Sequence, residues 1–310
     1  MIGVDWGTSS FRAYRLRDGA VIGRIETAGG ILGMPQGGFA AALRQAIAPW
    51  LAAGETEILL CGMVGSRQGW VEAPYLPCPA GPAEIAAAAI PIPFDGARVR
   101  LLPGLTTRAP GGTPDDAPGG TPDDAPGGTP DVMRGEETKL VGLLATLGTA
   151  PALVCLPGTH SKWARLAGGQ VVGFTTHMTG ELRAVLLDHS ILGRQARAAP
   201  PDAAAFRRGL HRAAEPGGLS HHLFGTRALG LFGELPETAT ESYLSGLLIG
   251  AECRAEASGA GTVHLAGAEA LAERYAIALT AAGQTCQRHP DDIAASGLAL
   301  LAGRLAAMAG

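Results

Sequence analysis

The chain predicts an α/β fold of two sheet-centred lobes with helical returns, on three observations. Residues 2 to 26 read as an antiparallel meander, the apolar run 58 to 61 feeds a glycine-rich loop, and a second strand–glycine-turn–strand hairpin at 152 to 174 repeats the grammar of the first. The 310 residues suffice for two domains, and 46% hydrophobic against 17% charged is an ordinary globular balance.

The elements follow from local pattern. Ile2 to Leu16 is an apolar strand, a glycine turn and an alternating strand, and Asp18-Gly19 turns into a third strand at 19 to 26. Phe39, Leu43, Ile47 and Leu51 recur at helical spacing, predicting a helix over 38 to 53. Ile58 to Cys61 is a buried strand ending in Gly62-Met63-Val64-Gly65-Ser66, where open α/β sheets place ligands. Residues 70 to 79 form an aromatic, proline-rich loop, 83 to 89 a helix, and 98 to 103 a strand. From 109 to 131 an eight-residue unit, A-P-G-G-T-P-D-D, occurs twice and then once more as A-P-G-G-T-P-D-V; with no large apolar side chain it has nothing to bury, and is expected to be a flexible insertion. Helices are predicted at 136 to 147, over most of 179 to 244, and at 241 to 257, 268 to 282 and 292 to 308, with strands at 152 to 156, 161 to 174 and 262 to 265. The expected domains are 1–108, the insertion 109–132, a second lobe 133–290 with a helical insertion near 180–245, and a C-terminal interdomain helix 291–310.

Charge narrows the function. Five aspartates lie in the 109 to 131 repeat, so of the formal net charge of −4 the remainder carries 24 basic against 23 acidic residues. That near-neutral body offers no case for nucleic acid or an anionic membrane as partner. Five scattered cysteines with no C-x-x-C pair fit free thiols in a reducing compartment. With no apolar run near 18 residues and no signal-peptide pattern ahead of Asp5, a cytoplasmic place is expected.

Asp5-Trp6-Gly7-Thr8-Ser9-Ser10 ends a strand in an acid and turns through glycine and hydroxyls. Such a turn offers N–H groups and hydroxyls of Gly7, Thr8 and Ser9 to a phosphate while Asp5 faces the accompanying Mg²⁺. It is similar to the first phosphate motif of the superfamily of actin, sugar kinases and heat-shock chaperone ATPases. Pro157-Gly158-Thr159-His160-Ser161-Lys162 repeats the pattern, with His160 and Lys162 as added cations. Arg134-Gly135-Glu136-Glu137-Thr138 places acids at a helix start, where acids also serve as dipole caps. Position resembles the superfamily's catalytic carboxylate, which makes Glu137 the base and Glu136 the alternative. Gly267-Ala268, after a strand and before a helix, is assigned to the adenosine of ATP, and small residues at 294, 295 and 297 suit a close crossing with the Glu137 helix.

The words D-W-G-T-S-S-F-R, G-M-V-G-S, A-P-Y-L-P, V-M-R-G-E-E-T, P-G-T-H-S-K-W, T-G-E-L and S-G-L-L-I-G-A-E together closely resemble 2-dehydro-3-deoxygalactonokinases. The resemblance implies two ribonuclease-H-like, actin-like ATPase lobes with mixed sheets flanked by helices and a cleft between them. It also implies ATP- and magnesium-dependent phosphorylation of the 6-hydroxyl of a 2-keto-3-deoxy sugar acid in galactonate breakdown. For the 2-keto sugar acid that the resemblance implies, the candidates for carboxylate and keto oxygens are Arg12, Ser66, Arg134, His160 and Lys162, with Thr179 and Glu181 for hydroxyls and Trp70 and Tyr75 as walls; the planar guanidinium of Arg134 ranks first. One departure stands out: Leu156-Pro157 replaces the acid usual in the superfamily's second phosphate hairpin, leaving Mg²⁺ to Asp5, waters and phosphate. The readings set beside it are a same-fold kinase for another sugar or sugar acid, an actin-like ATPase and a non-catalytic sugar sensor. A homodimer through the 180 to 245 helices is compatible with all of them. Deleting residues 109 to 124, two whole repeats, is expected to leave kinase turnover almost intact, and a large loss in a coupled assay would show that the insertion is not inert.

Overall fold

The computed structural model describes residues 1–35, 37–108, 128–290 and 292–309. The first half contains β1 (Ile2–Trp6), β2 (Phe11–Arg17), β3 (Ala20–Thr27), α1 (Phe39–Ala46), α2 (Ala48–Ala52), β4 (Glu57–Cys61), β5 (Tyr75–Pro77), α3 (Pro82–Ala87), β6 (Ile90–Ile92), β7 (Arg98–Leu101) and β8 (Gly104–Arg108). There follow β9 (Pro130–Met133), α4 (Glu136–Leu147), β10 (Ala152–Leu156), β11 (Ser161–Ala167), β12 (Gln170–His177), α5 (Thr179–His189), α6 (Ala203–Ala214), α7 (Leu219–Leu231) and α8 (Thr240–Glu256). The chain ends with β13 (Thr262–Ala266), α9 (Glu269–Ala281), β14 (Thr285–His289) and α10 (Ile293–Ala309).

Two sheets share one strand plan. The first runs β3-β2-β1-β4-β7-β6 and the second β12-β11-β10-β13-β14, so in each a three-strand meander is extended from its first strand by later strands. β4 is parallel to β1 and β7 to β4, whereas β2 and β3 are antiparallel neighbours. This is the ribonuclease-H-like order that the family resemblance implied. A third, small sheet, β5-β8-β9, was not anticipated; its strands are three to five residues long and rich in proline, too short to show a period.

By contacts the chain forms two units, one comprising Met1–Pro151, Ala164–Thr175 and the segment from Asp292 onward, the other Ala152–Trp163 and Thr176–Asp291. The domain boundary expected at 133 is therefore displaced, because α4 packs with α10 inside the first unit. Other expectations shift locally. The helix over 38 to 53 is two helices separated at Ile47, where Pro49 brings no N–H to a continuing ladder. The strand expected over 98 to 103 ends at Leu101 as β7, and β8 begins beyond it at Gly104. Residues 109–127 of the repeat, and with them most of the expected flexible insertion, lie outside the described residues; the end of its last unit, Pro130 and Asp131, forms the start of β9.

The core of the first unit gathers Trp6, Phe11, Phe39, Leu43, Ile47, Ile58 and Leu60. Trp6 is its anchor: the indole is fully buried, meets Phe11 and Phe39 edge-on, and donates from Nε1 to the Gly29 carbonyl at 2.9 Å. The second unit packs Cys155, Trp163, Phe206, Leu210, Ile249 and Tyr275. No described helix is long and apolar enough to cross a membrane.

α4 and α10 cross backbone to backbone. A methyl at Gly297 would stand 1.8 Å from the Thr138 carbonyl oxygen, and one at Gly142 would stand 2.3 Å from that of Ile293. The small residues read at 294 to 297 thus serve the expected crossing. Replacing an exposed helical glycine by alanine ordinarily stabilises by about 0.5–1 kcal/mol. Gly303→Ala, with open space around its added methyl, should show that gain, whereas Gly297→Ala should cost about 1–3 kcal/mol by overpacking. Urea unfolding of the two variants checks the opposite signs.

Candidate active site

The site in the first unit is built at the C-terminal ends of β1 and β4, the edge where open sheets bind ligands. Asp5 closes β1 opposite Cys61 on β4 and Arg12 on β2. Beyond it the chain turns tightly, Gly7 N–H donating to Ser10 O at 2.9 Å. The carbonyls of Gly7 and Thr8 are held from behind by the N–H groups of Ile31 and Leu32, at 3.0 and 3.2 Å. Gly30 lies so close that a methyl there would stand 2.3 Å from Thr8 O. With the carbonyls engaged and Thr8 and Ser9 exposed, the hydroxyl and N–H side of the turn is left to an anion.

Two glycines bring α4 to this edge. Gly62 and Gly135 both adopt left-handed φ, 92° and 104°, and a methyl on Gly135 would lie 3.2 Å from Gly62 Cα and 4.0 Å from Asp5 Oδ1. The two acids that open α4 then part in role. Glu136 accepts from the Arg134 backbone N–H at 3.1 Å, a capping contact. Glu137 is 0% exposed; its Oε2 accepts from Gly135 N–H at 2.6 Å, and its buried Oε1 has no partner. Burial pushes the Glu137 carboxyl up to about 8, with the Glu136 charge adding to the rise and backbone hydrogen bonds and Arg134 opposing it. The Cys61 thiol, raised first by burial and then by the charges of Asp5 and Glu137, sits within the field of both carboxylates.

Arg134, 8% exposed, lies with its guanidinium 4.3 Å from the Tyr75 ring and donates from Nη2 to Ala73 O at 2.8 Å. Tyr75 is thus a stacking partner of Arg134, while Trp70 stacks on Phe39 and meets Phe94, which makes it packing and no wall of a ligand pocket. Arg12 is engaged by Glu26 at 2.8 Å, a pairing that raises its already high pKa.

In the second unit the Gly158–Thr159 turn is met by the start of α5. Glu181 N–H donates to Thr159 O at 3.0 Å, and a methyl on Gly180 would stand 2.7 Å from Gly158 O. Gly267 lies on the other flank, where its methyl would come 3.3 Å from Pro157 O, and Ala268 caps α9 beside it. The Gly158–Thr159 turn and the start of α5 border a cavity of about 250 Å³, lined by Thr159, Thr179, Gly180, Arg183, Leu271 and Arg274 among others; Gly267 and Ala268 are not part of its lining. Gly180, Arg183 and Arg274 escaped the sequence reading, although the word T-G-E-L contains the first of them. His160 pairs with the Glu181 carboxylate, both half-exposed, so those two substrate candidates answer each other. Lys162 is 4% exposed and donates to His160 O at 3.2 Å, bracing the turn from within.

Behind the turn a buried network fixes its exit. Ser161 Oγ lies 2.7 Å from Tyr275 OH, Tyr275 donates to Glu252 Oε2 at 2.8 Å, and Trp163 Nε1 donates to Glu252 Oε1 at 2.7 Å. Among the described residues no group of three or more His, Cys, Asp or Glu is arranged to hold a metal ion.

Comparison with known proteins agrees with this geometry. A family model described as 2-keto-3-deoxy-galactonokinase matches residues 5–301. A Rhizobium meliloti protein named as a probable 2-dehydro-3-deoxygalactonokinase is 40% identical over 288 residues, 90% of this chain and 89% of its own length. The 2-dehydro-3-deoxygalactonokinase of Escherichia coli is 34% identical over 81% of this chain and 78% of its own. A crystal structure of a Sinorhizobium meliloti protein described as a candidate 2-dehydro-3-deoxygalactonokinase superposes with a TM-score of 0.83 at 37% identity, covering 99% of this chain and 98% of its own. Matched along nearly its whole length, the chain belongs to the 2-keto-3-deoxy-galactonokinase family.

Proposed function

We propose that this protein is a cytoplasmic, ATP-dependent kinase that phosphorylates the 6-hydroxyl of 2-dehydro-3-deoxy-D-galactonate. The observation that carries the reading is the Glu137 carboxyl: fully buried beside Asp5, with one oxygen bonded to backbone and the other without a partner. A carboxylate so placed accepts a proton from an incoming hydroxyl. Family membership and the names of the relatives supply the substrate class.

The chain's own groups divide the work. Glu137 Oε1 takes the proton of the 6-hydroxyl as that oxygen bonds to the γ-phosphorus and the bond to the β-phosphate oxygen breaks, releasing ADP. Thr8 and Ser9 are assigned to phosphate oxygens, as are Gly158 and Thr159, while Gly7, whose N–H donates to Ser10 O, shapes the first turn. The nucleoside is assigned to Gly267 and Ala268, where Gly267 packs on Pro157 just ahead of the Gly158–Thr159 turn. Asp5, a single carboxylate beside glycine backbone, fits a Mg²⁺ that keeps waters and phosphate oxygens as its other ligands, and such an ion would neutralise charge on the phosphates.

A coupled assay offering the galactonate-derived and gluconate-derived keto acids side by side tests the substrate: the galactonate-derived acid should give the higher kcat/KM, and turnover of neither would refute the activity. Glu137→Gln keeps an acceptor for Gly135 N–H but cannot take a proton. Turnover should fall at least about 10²-fold with little change in ATP affinity, and near-normal turnover would remove the base assignment. Because the free carboxyl holds its proton up to about pH 8, kcat/KM for the wild type should rise toward that pH, an acid limb far above the ordinary carboxylate range. The same raised value stabilises the fold at low pH, and that contribution is lost as pH climbs through about 8. Melting temperatures from pH 6 to 9 should therefore fall more steeply for the wild type than for Glu137→Gln.

A further inference from the structure

We propose that Arg134, with the hydroxyl of Ser66, is the seat of the substrate's carboxylate, and so the element by which this site selects a sugar acid over a neutral sugar. The inference deepens the kinase reading and rests on it for the identity of the ligand.

Three of the motif words read in the sequence meet at this guanidinium. A-P-Y-L-P supplies the Ala73 carbonyl that takes Nη2 at 2.8 Å and the Tyr75 ring that covers one face at 4.3 Å. V-M-R-G-E-E-T supplies the arginine itself, at the end of β9. G-M-V-G-S supplies Gly65, whose missing side chain makes room: a methyl there would stand 3.0 Å from Nη1. The plane of the guanidinium is thus fixed by one hydrogen bond and one stacked ring.

Its other donors are unanswered. Nε and Nη1 are buried without a hydrogen-bond partner, and so is Oγ of Ser66, the residue next to Gly65. A buried unsatisfied polar group destabilises a fold, and a charged one more so. The two nearby acids do not supply the missing acceptors. Glu136 caps the Arg134 backbone N–H, and the bonded oxygen of Glu137 takes Gly135 N–H. Had Arg134 served only to tie β9 to the 73–77 strand, its Nη2 bond and the Tyr75 stack would have sufficed. Ala73 O takes one of the two Nη2 protons, and the other lies parallel to an unpartnered neighbour, Nε–H on one edge or Nη1–H on the other, so one two-donor fork of the kind that a carboxylate meets with both oxygens remains open. A neutral sugar presents no such anion and would leave both donors unpaired.

The test uses the full chain and two probes, 2-dehydro-3-deoxy-galactonate and its uncharged methyl ester. Calorimetric binding is read without ATP, and KM and kcat are read with it. The wild type should bind the acid more tightly than the ester. Arg134→Gln should weaken acid binding about 10- to 100-fold, chiefly in KM, and abolish the preference over the ester. Arg134→Lys should recover only part, since an ammonium lacks the fork. Ser66→Ala, a small change that keeps the fold should Arg134→Gln lose it, should raise KM for the acid several-fold and leave the ester unaffected. Glu137→Gln should retain the acid preference in binding while losing turnover. Retention of the wild-type preference in folded Arg134→Gln, or no change for the acid in Ser66→Ala, overturns the seat. If the wild type turns over neither probe yet loses acid binding on Arg134→Gln, the seat stands and the kinase reading falls.

Discussion

The contact of Gly62 with Gly135 sets the spacing on which the first unit's chemistry rests. Each backbone adopts a left-handed φ that L side chains rarely reach, and a methyl on either would strike the other strand's neighbourhood: 3.1 Å from Asp5 Oδ1 for Gly62, 3.2 Å from Gly62 Cα for Gly135. That approach carries the first turn of α4 to the end of β1 and places a second carboxylate in the field of the first. The glycine crossing of α4 with α10 then holds the helix from its other side, through the Thr138 carbonyl, one residue beyond Glu137. The burial of Glu137 follows from these two contacts, and the raised pKa follows from the burial.

Each unit buries one glutamate, and the contrast between them separates structure from chemistry. Glu252 is saturated: Trp163 donates to one oxygen and Tyr275 to the other, with Ser161 joined to Tyr275, so this carboxylate fastens α8 and α9 to the strand leaving the second turn. Glu137 has one oxygen bonded and one open. A carboxyl that needs an acceptor or donor it does not have is costly in a fold and useful in a site. The orphaned donors of Arg134 belong to the same class, and they lie on the same short stretch of chain, three residues away. Among the described residues, four of the six buried side-chain atoms without a partner belong to Ser66, Arg134 and Glu137, the other two being the hydroxyls of Thr175 on β12 and Thr226 on α7.

Much of this was legible in the sequence where periodicity or turn chemistry was strong. The meander, both glycine hairpins, α4 and the small-residue face of α10 stand where their residues put them. What stayed hidden was structure carried by short or proline-bearing segments: β5, β6, β8 and β9 have three to five residues each, and β14 carries no large apolar side chain in its run Thr285–His289. Side-chain destinations were harder still. Arg12, His160 and Glu181 are polar residues near a turn, and nothing in one dimension distinguishes a ligand contact from a cross-strand or helix-start ion pair. Gly180 went unnoticed because its reason is a long-range contact, the Gly158 carbonyl 2.7 Å from where its methyl would be.

The place of the tandem repeat also becomes physical. It joins β8 to β9, an antiparallel pair whose register runs from Arg108 opposite Pro130 at the loop end to Leu105 opposite Met133 at the other. Arg134 follows Met133 directly, so the guanidinium stands at the far end of the pair, about 10 Å from the insertion point at some 3.3 Å per residue. Hairpin loops lengthen cheaply, each doubling costing only about 0.6 kcal/mol in closure entropy. The β8–β9 ladder, together with the Thr106 hydroxyl donating to Asp131 O at 2.9 Å, fixes the strands whatever the length of chain between them. Growth of the repeat by whole units therefore leaves the register of β9 unchanged, and with it the position of Arg134 and the start of α4.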